Sequence, residues 1–439
     1  MDIISTVDLI SGPFPVLLAV LACACGAWLL LRRLRGWILS VVSAALLAAA
    51  LAWTMNWYVV HIAGLSAYDL PGQVIAWIGA GIFAILLMVL NLTHSRRWRK
   101  ALAPVAMAIV VVAVAAQINV YYGAYRTIGD VTGASTKNIA PFARSGAKGT
   151  PPAPGLVTPA TGPVVNHWVK PAGLPGTGIV NSVQIPGHVS GFTGRTAYIY
   201  LPPAYQAKNA PLLPVLVLIP GQPGSPADWL KAGHLQPIMD AFATTHQGLA
   251  PVVVVPDVNG SSTANTMCMD SQIAKTDTYL AVDVPAWIKN TLNVNPNPHY
   301  WAIGGFSFGG TCALQMAVLH PKTYPSAIDL SGEVEPALSA DRKATVRTAF
   351  GGDTAAFNAV TPLAVMAKNK YPDSWMFLAA GAQDGRFTGY VDQVSTAARS
   401  AGITVKTHSV PGAGHSWGVP LKAMNPALTW LAPRLGLAP

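Results

Sequence analysis

The sequence predicts an α/β domain with a mostly parallel central sheet, preceded by an all-α four-helix transmembrane domain. Only 10% of the 439 residues are charged and 52% are hydrophobic, whereas soluble chains carry about a quarter charged residues. The longest apolar runs lie in the first 120 residues, and the C-terminal part alternates short apolar runs with helix-forming stretches. The predicted domains are 1–128 for the membrane region, 129–175 for a linker and 176–439 for the α/β domain.

Four apolar stretches without charged residues are long enough to cross the ~30 Å hydrocarbon core of a bilayer as helices. They cover residues 13–31, 37–55, 74–92 and 102–120. A cleaved signal peptide would be a single shorter run, so four in succession favour a retained multi-pass anchor. No ionisable residue falls at mid-membrane, where a transport pathway usually carries one, and this favours an anchor over a channel or transporter.

Basic residues in two of the connecting segments predict the orientation. They are Arg32, Arg33 and Arg35 after the first span, and Arg96, Arg97, Arg99 and Lys100 after the third. The positive-inside rule places both segments in the cytoplasm, so the N-terminus and everything after the fourth span lie outside. A composition rich in Ala, Gly and Pro suggests a high-GC bacterium, and we expect the chain in its cell membrane.

The segment 129–175 is rich in Gly, Pro, Ala, Thr and Ser, and this composition predicts a semi-extended tether. The formal net charge of the whole chain is +10. Such a charge is compatible with nucleic acid, an anionic membrane surface or acidic substrates. No Lys/Arg-rich tract interleaved with aromatic residues occurs in the sequence, so a nucleic-acid partner is not expected.

Seven segments in the C-terminal part are predicted strands, and several of them are short, continuous apolar runs of the kind expected for strands buried on both faces. The seven segments cover residues 197–201, 215–219, 252–255, 301–304, 326–330, 375–380 and 404–410. Residues 278–290 and 311–320 read as helices between them. Alternation of this kind predicts a mostly parallel sheet with helices on both sides.

Ser307 is the candidate nucleophile because it lies in Gly-Phe-Ser-Phe-Gly at residues 305–309, between a predicted strand and a predicted helix. This arrangement is typical of a nucleophile elbow, in which a sharp turn presents the hydroxyl above the sheet. The alternative is a structural serine in a glycine-rich turn.

A serine hydroxyl needs a base, and the base needs an acid to orient it. His415 is the candidate base, because it lies in a Gly-rich loop after the last predicted strand. Asp384 follows the run 375–380 and is the candidate acid, with Glu333 and Glu335 as rivals. The order Ser, Asp, His along the chain is that of the α/β-hydrolase fold. The alternative interpretation is that His415 is a hydrogen-bonding histidine of a loop and that Asp384 is an ordinary turn aspartate.

Two backbone N–H groups are expected to stabilise the oxyanion that forms in such a reaction. One belongs to Phe308, which follows the nucleophile. The other belongs to the loop after the run 215–219, where Gly221, Gln222 and Gly224 have an N–H and we favour Gln222.

Cys268 and Cys312 are the two cysteines of the outward domain, and an oxidising compartment would let them form a disulfide. The alternative is two buried free thiols. No H-E-x-x-H, zinc-spaced cysteine pair or phosphate-binding G-x-x-x-x-G-K-[ST] loop occurs in this domain, so we expect neither a metal nor a cofactor.

The α/β domain resembles the putative esterase family that includes esterase D and the mycobacterial mycolyltransferases. The matching motifs, taken in order, lie at residues 185–187, 194–203, 220–222, 283–288, 305–310, 320–321, 331–332 and 414–417. The resemblance implies an α/β-hydrolase fold with Ser307 as nucleophile, His415 as base, and Phe308 and Gln222 as oxyanion donors. The mycolyltransferases use a glutamate as acid and have an arginine where this chain has Pro223.

The sequence therefore predicts a membrane-anchored serine esterase that acts outside the cytoplasm on a lipid or cell-envelope ester. An acyltransferase of mycolyltransferase type with the same three residues is the second hypothesis. The third is a non-catalytic binding or sensing module on a membrane anchor.

Overall fold

A computed structural model of the chain describes residues 3–32, 35–63, 68–93, 95–143 and 162–438. They form two compact units, one reaching from the N-terminus through Ser135 and the other comprising most of the residues from Thr136 onward. Residues 144–161 of the predicted linker, and Arg33 of the first predicted basic segment, lie outside the described residues.

Four long helices form most of the N-terminal unit, namely α1 (Pro13–Leu30), α2 (Trp37–His61), α3 (Gly72–Leu92) and α4 (Arg97–Tyr122). All four are long and apolar enough to span a membrane. Each coincides with one predicted span, but α2 and α4 exceed the predicted limits by a turn or more. Helical hydrogen bonds join backbone groups, so polar and aromatic residues at the ends of an apolar run stay helical.

Arginine and asparagine side chains satisfy the carbonyl groups at the C-terminal end of α1. Arg99 Nη2 donates to the carbonyl oxygens of Trp28 and Leu31, at 2.7 and 3.0 Å. Arg99 Nε donates to Asn91 Oδ1 at 2.7 Å, and the Asn91 amide donates to the Leu29 carbonyl at 3.0 Å. The last carbonyl groups of a helix have no hydrogen-bond partner within it, and Arg99 supplies one. Arg99, for which the sequence predicts only a role in membrane orientation, therefore also caps α1.

The second unit is built on an eight-stranded sheet in the order β1-β2-β4-β3-β5-β6-β7-β8. The strands are β1 (Ile179–Val183), β2 (Ala197–Leu201), β3 (Val215–Ile219), β4 (Val252–Val255), β5 (Trp301–Phe306), β6 (Ser326–Leu330), β7 (Trp375–Gly381) and β8 (Thr404–Val410). The pairs β1–β2 and β2–β4 are antiparallel, and the other neighbours are parallel. The mostly parallel sheet confirms the predicted fold class.

β1 is the strand that the sequence did not predict. Only Val183 of its five residues is buried, and Asn181 and Ser182 are polar. Without an apolar run or regular alternation, nothing in the segment signals a strand, and pairing with β2 is what keeps it extended.

Shorter helices complete the chain. They are α5 (Ile128–Thr132), α6 (Ala134–Lys137), α7 (Ala227–Lys231), α8 (Leu235–Thr245), α9 (Thr276–Thr278), α10 (Val284–Thr291), α11 (Phe308–Leu319), α12 (Arg342–Phe350), α13 (Thr354–Val360), α14 (Pro362–Lys368), α15 (Gly385–Ser400) and α16 (Gly418–Leu431). The helix predicted over 278–290 is divided into α9, a π-helical turn (Tyr279–Asp283) and α10. The helix predicted over 311–320 begins three residues earlier, as α11.

The central strands form the core, and every residue of β3, β4, β5 and β6 is buried. Because β5, β7 and β8 are parallel, the segments that follow them leave from the same edge of the sheet. Ser307 directly follows β5, residues 382–384 follow β7, and residues 411–417 follow β8. The topology therefore collects the three predicted catalytic residues at one edge.

Candidate active site

Ser307 occupies the turn between β5 and α11. Its backbone has φ 57° and ψ −121°, a conformation that residues other than glycine rarely adopt. The Ser307 N–H donates to the carbonyl oxygen of Leu330, at the end of the neighbouring strand β6, at 2.8 Å. Strain of this kind persists only where the surrounding structure enforces it, and here the sheet edge does so.

The two glycines of the motif are required because backbone passes close to both. A Cβ atom on Gly305 would collide with the backbone of Gly309, and one on Gly309 would collide with the carbonyl of Ile219. The turn can therefore be this sharp, and α11 can lie this close to β3, only with hydrogen at both positions.

His415 meets the serine through its ring. Its Nε2 lies 2.7 Å from Ser307 Oγ, a hydrogen bond in which the hydroxyl donates when Nδ1 carries the ring proton. The loop that carries His415 is joined to the segment after β7 by backbone hydrogen bonds, from the Gln383 N–H to the Ala413 carbonyl and from the Ala382 N–H to the Val410 carbonyl, both 2.9 Å. The loops after β7 and β8 are thus held to each other.

Asp384 lies on the other side of the imidazole, where it forms the N-cap of α15. Its Oδ2 is 3.5 Å from His415 Nδ1, the distance of an ion pair and longer than a good N–H···O hydrogen bond. Burial of the Asp384 carboxyl opposes its ionisation, but His415 and the backbone N–H groups of Phe387 and Arg386 outweigh burial and hold its pKa below the usual value.

Neither rival carboxylate contacts the imidazole in the hydrogen bonds and ion pairs of the described residues. Glu335 forms an ion pair with Arg342 at 2.7 Å. Glu333 is partly exposed as a residue, yet protein surrounds its carboxyl group, and this burial raises its pKa to about 7 against the opposing effect of Arg386. Asp384 is therefore the carboxylate that the structure brings to His415.

Two phenylalanine rings are stacked on the imidazole, and sequence reasoning missed both. The Phe387 ring is stacked on His415 at a centroid distance of 4.0 Å and an interplanar angle of 26°. The Phe306 ring lies at 5.3 Å and 28°. Their positions one residue before the nucleophile and three after the acid were available in the sequence, but nothing there indicated where the imidazole would lie.

Phe308 and Gln222, the predicted oxyanion donors, both lie in segments that adjoin Ser307. Phe308 is the first residue of α11, so its N–H has no carbonyl partner within the helix. The loop after β3 runs close by, since a Cβ atom on Gly221 would lie 3.7 Å from Ser307 Cβ. The Gln222 side chain is used elsewhere, because its Nε2 donates to the Thr263 carbonyl at 3.0 Å.

Cys268 and Cys312 are joined in a disulfide, with their Cα atoms 5.5 Å apart. Cys312 lies on α11, and Cys268 belongs to the segment between β4 and α9. The neighbours of Cys268, Met267 and Met269, pack in a separate apolar cluster that includes Phe357 of α13. The disulfide therefore ties the helix that follows the candidate nucleophile to a segment that also supports α12 and α13.

In the part of the chain that the structure describes, no three His, Cys, Asp or Glu side chains are grouped so that they could hold a metal ion. The groups that the structure brings together at the site are the Ser307 hydroxyl, the His415 imidazole and the Asp384 carboxylate.

Comparison with known proteins gives the following similarities. The model of the family described as putative esterase matches residues 193–431. An uncharacterized protein of Corynebacterium glutamicum is 34% identical over 402 residues, covering 90% of each chain. The MPT51 antigen of Mycobacterium leprae is 30% identical over 110 residues, 25% of this chain and 33% of that one. An S-formylglutathione hydrolase from Agrobacterium tumefaciens, similar in fold, has a TM-score of 0.50 and 18% identity, covering 60% of this chain and 97% of that one.

Proposed function

The chain belongs to the putative esterase family, and we propose that it is a membrane-anchored serine esterase in which Ser307, His415 and Asp384 form the catalytic triad. The observation that carries this proposal is the 2.7 Å contact between Ser307 Oγ and His415 Nε2. That distance is within the reach of direct proton transfer between a nucleophile and its base.

In the proposed reaction, Ser307 Oγ attacks the carbonyl carbon of an ester while its proton passes to His415 Nε2. The tetrahedral intermediate places negative charge on the former carbonyl oxygen, and the N–H groups of Phe308 and Gln222 donate to it. The intermediate expels the alcohol, which takes the proton from Nε2, and an acyl-serine remains.

Water then completes the cycle. It gives a proton to His415 Nε2 as its oxygen attacks the acyl-serine, and collapse of the second intermediate returns that proton to Ser307 Oγ and releases the acid. Asp384 stays ionised throughout and stabilises the imidazolium that forms twice. The lowered pKa of Asp384 supports this role, because the carboxylate is charged at neutral pH.

The helical unit supports a place at the membrane. We propose that residues 1–128 anchor the enzyme, that 129–175 act as a tether, and that the catalytic domain 176–439 lies outside the cytoplasm. The basic residues of the two short connecting segments support this orientation. A tether raises the effective concentration of the enzyme at the membrane, so a lipid or cell-envelope ester is the substrate class that we propose.

A fluorophosphonate probe tests the triad in the full-length protein in detergent micelles. Wild type should be labelled, Ser307→Ala should not, and Ser400→Ala, which changes an exposed serine at the end of α15, should be labelled like wild type. Equal labelling of Ser307→Ala and wild type would overturn the assignment of the nucleophile. Absence of labelling in all three would favour a non-catalytic module.

Product analysis extends this test to the reaction. Wild type that passes the labelling test is incubated with an ester substrate, with and without a sugar acceptor. Release of free acid in both reactions supports an esterase. An acylated sugar as the main product would instead identify an acyltransferase that uses the same residues.

Orientation is tested separately in intact cells. In a chain with Cys23→Ala and Cys25→Ala, an impermeant maleimide should label Lys208→Cys and should not label Arg97→Cys. Both positions are exposed in the structure. The reverse pattern would place the catalytic domain in the cytoplasm.

A further inference from the structure

Two aromatic rings are stacked on the imidazole of His415, and the closer one belongs to a residue that has no part in the chemistry. Phe387 is stacked on the imidazole with its centroid 4.0 Å away and an interplanar angle of 26°. Phe306 is also stacked on it, at 5.3 Å and 28°. Centroid distances of 4.5–7 Å are usual for interacting aromatic rings, so the contact with Phe387 is closer than most.

Few other contacts fix the plane of this imidazole. Within the described residues, His415 Nδ1 makes no hydrogen bond, and the nearest Asp384 oxygen is 3.5 Å away. The remaining polar contact is with Ser307 Oγ, a hydroxyl that moves during the reaction. A ring held by one hydrogen bond and one distant carboxylate can still turn about its Cβ–Cγ bond, because this torsion is broad in histidine. The flat faces of the two phenylalanines restrict that rotation.

Phe387 is also connected to the acid. It lies in the first turn of α15, where its backbone N–H donates to Asp384 Oδ1 at 3.3 Å. Its side chain is buried at 7% exposure, and its ring meets that of Tyr390 in an edge-to-face arrangement with the centroids 5.5 Å apart. One residue therefore contacts the carboxylate through its backbone and the imidazole through its ring, so the positions of the acid and the base are set relative to each other.

We propose that Phe387 is a positioning residue for the reaction, because its ring holds the His415 imidazole in the plane from which Nε2 reaches the nucleophile and Nδ1 faces Asp384. This inference rests on the proposed function, since it gives the imidazole the role of the base. The proposal attributes the orientation of the base to aromatic stacking. In serine hydrolases the orientation of the catalytic histidine is usually attributed to the acid alone.

The opposing explanation is that Phe387 only fills space in the core. The two explanations differ in what a leucine would do at this position. Leucine keeps the apolar character but has no flat face, whereas tyrosine keeps the ring. If only volume matters, leucine and tyrosine should be tolerated alike once each protein is folded. If the flat face matters, tyrosine should restore the activity that leucine loses.

The experiment compares four full-length proteins, namely wild type, Phe387→Leu, Phe387→Tyr and Phe377→Leu. Phe377 is the matched control, because it is buried on β7 and its ring lies 6.0 Å from a different histidine, His408. For each protein we would measure the unfolding midpoint, kcat and KM for a p-nitrophenyl ester, and the rate of fluorophosphonate labelling.

We expect Phe387→Leu to lower kcat and the labelling rate by about 10- to 100-fold, the loss that a small misplacement of a catalytic group causes, with little change in KM. Phe387→Tyr should keep kcat within a few-fold of wild type. Phe377→Leu should lower the unfolding midpoint at least as much as Phe387→Leu does and leave kcat unchanged.

A wild-type kcat in folded Phe387→Leu would overturn the inference, as would equal losses in Phe387→Leu and Phe387→Tyr. Both results leave the proposed function intact, because wild type is still labelled. If wild type is not labelled at all, the proposed function fails first and the inference fails with it.

Discussion

Arg195 and Asp257 form an ion pair at 2.7 Å. The Arg195 guanidinium also reaches the loop after β3, which lies beside the candidate nucleophile. Arg195 Nη2 donates to the carbonyl of Gly224 at 2.9 Å, while Arg195 Nε and the Arg195 backbone N–H both donate to Asp257 Oδ2. The Gly224 N–H donates in turn to the Ser262 carbonyl at 2.9 Å. The segment that carries the proposed oxyanion donor Gln222 is thus fixed at its far end by an ion pair whose carboxylate is buried and whose guanidinium is partly exposed.

Arg195→Lys should therefore weaken catalysis more than substrate binding. Lysine keeps the charge but cannot donate to Asp257 and Gly224 in the same planar geometry. Since loss of an oxyanion donor costs about 10²–10³ in kcat, we expect its displacement to cost about tenfold, with KM nearly unchanged. Steady-state kinetics on a p-nitrophenyl ester measure both constants.

Arg434→Lys is the control for that change, because Arg434 binds Asp373 through two nitrogens just before β7, at the opposite edge of the sheet. It should lower the free energy of unfolding and leave kcat at the wild-type value. A kcat loss of the same size in both variants would contradict a specific role for Arg195.

Gly309→Ala should abolish fluorophosphonate labelling. The added methyl group would collide with the Ile219 carbonyl, and a backbone atom of the central sheet cannot move aside as a flexible side chain can. Gly389→Ala, in the middle of α15, meets no atom within 4 Å and serves as the control. It should stabilise the protein by about 0.5–1 kcal/mol, because alanine is the better helix former. A labelled, folded Gly309→Ala would contradict the packing described for the elbow.

Removal of the disulfide should destabilise the second unit. The bond spans 44 residues, and the entropy of closing a loop of that size in the unfolded chain corresponds to about 4 kcal/mol in the chain-entropy description. Cys268→Ala combined with Cys312→Ala should lower the unfolding midpoint, and a reducing agent should lower that of wild type and have no effect on the double variant. Cys23→Ala with Cys25→Ala should behave as wild type. A midpoint that does not respond to either treatment would show that the bond adds no stability.

Asp329 should make stability depend on pH near neutrality. This side chain lies beside the start of α11, since a Cβ atom on Gly310 would collide with its Oδ1, and that oxygen accepts a hydrogen bond from the Gly332 N–H at 2.7 Å. Burial raises its pKa from 3.8 to about 7. The folded protein then binds a proton that the unfolded chain releases, so the stability present below pH 4 is lost as the pH rises to about 7.

Asp329→Asn, which does not titrate, should gain free energy of unfolding relative to wild type as the pH rises from 5 to 8. Denaturant unfolding at several pH values measures this difference. Asp384→Asn should behave in the opposite way. The pKa of Asp384 is lowered in the folded state, so the stability it contributes is present above pH 4 and is lost only as the pH falls below that value. A constant difference between Asp329→Asn and wild type would exclude this titration.

Asn91→Leu should destabilise the helical unit. Asn91 is fully buried on α3, and its side chain bonds α1 through the Leu29 carbonyl and α4 through Arg99, as well as the Leu87 carbonyl of its own helix. Hydrogen bonds between membrane helices are worth about 0.6–2 kcal/mol each, and leucine leaves the Arg99 guanidinium without this acceptor. Detergent-induced unfolding should therefore begin at a lower SDS fraction. Activity of the catalytic domain should be unchanged, since Asn91 lies in the other unit.

Patterns along the chain were enough to predict the fold class. Most of the seven predicted strands and all four long helices follow from runs of apolar residues, because burial on both faces, or in lipid, requires such runs. β8 is the exception, since only Val410 of its seven residues is buried. β1 lacked a signal because it owes its conformation to pairing with β2. The ends of α2 and α4 also lacked a sequence signal, because the helical backbone hydrogen bonds continue past the apolar run.

The identity of the candidate site residues also came from local patterns. Ser307, Asp384 and His415 each follow a strand, and parallel strands bring the segments after them to one edge. Sequence alone left Asp384 and its glutamate rivals open, since all three follow strands. The structure places Asp384 beside the imidazole because α15 begins there and the segments after β7 and β8 are hydrogen-bonded to each other.

The sequence alone determined which segments are apolar, which turns need glycine, and which reactive residues follow a strand. Those properties depend on neighbours within a few positions along the chain. Only the folded structure decided that Phe387 faces His415, that Arg195 reaches Gly224, and that Cys268 meets Cys312. These contacts join residues 28 to 44 positions apart, where the packing of the sheet and its helices fixes distance and local sequence does not.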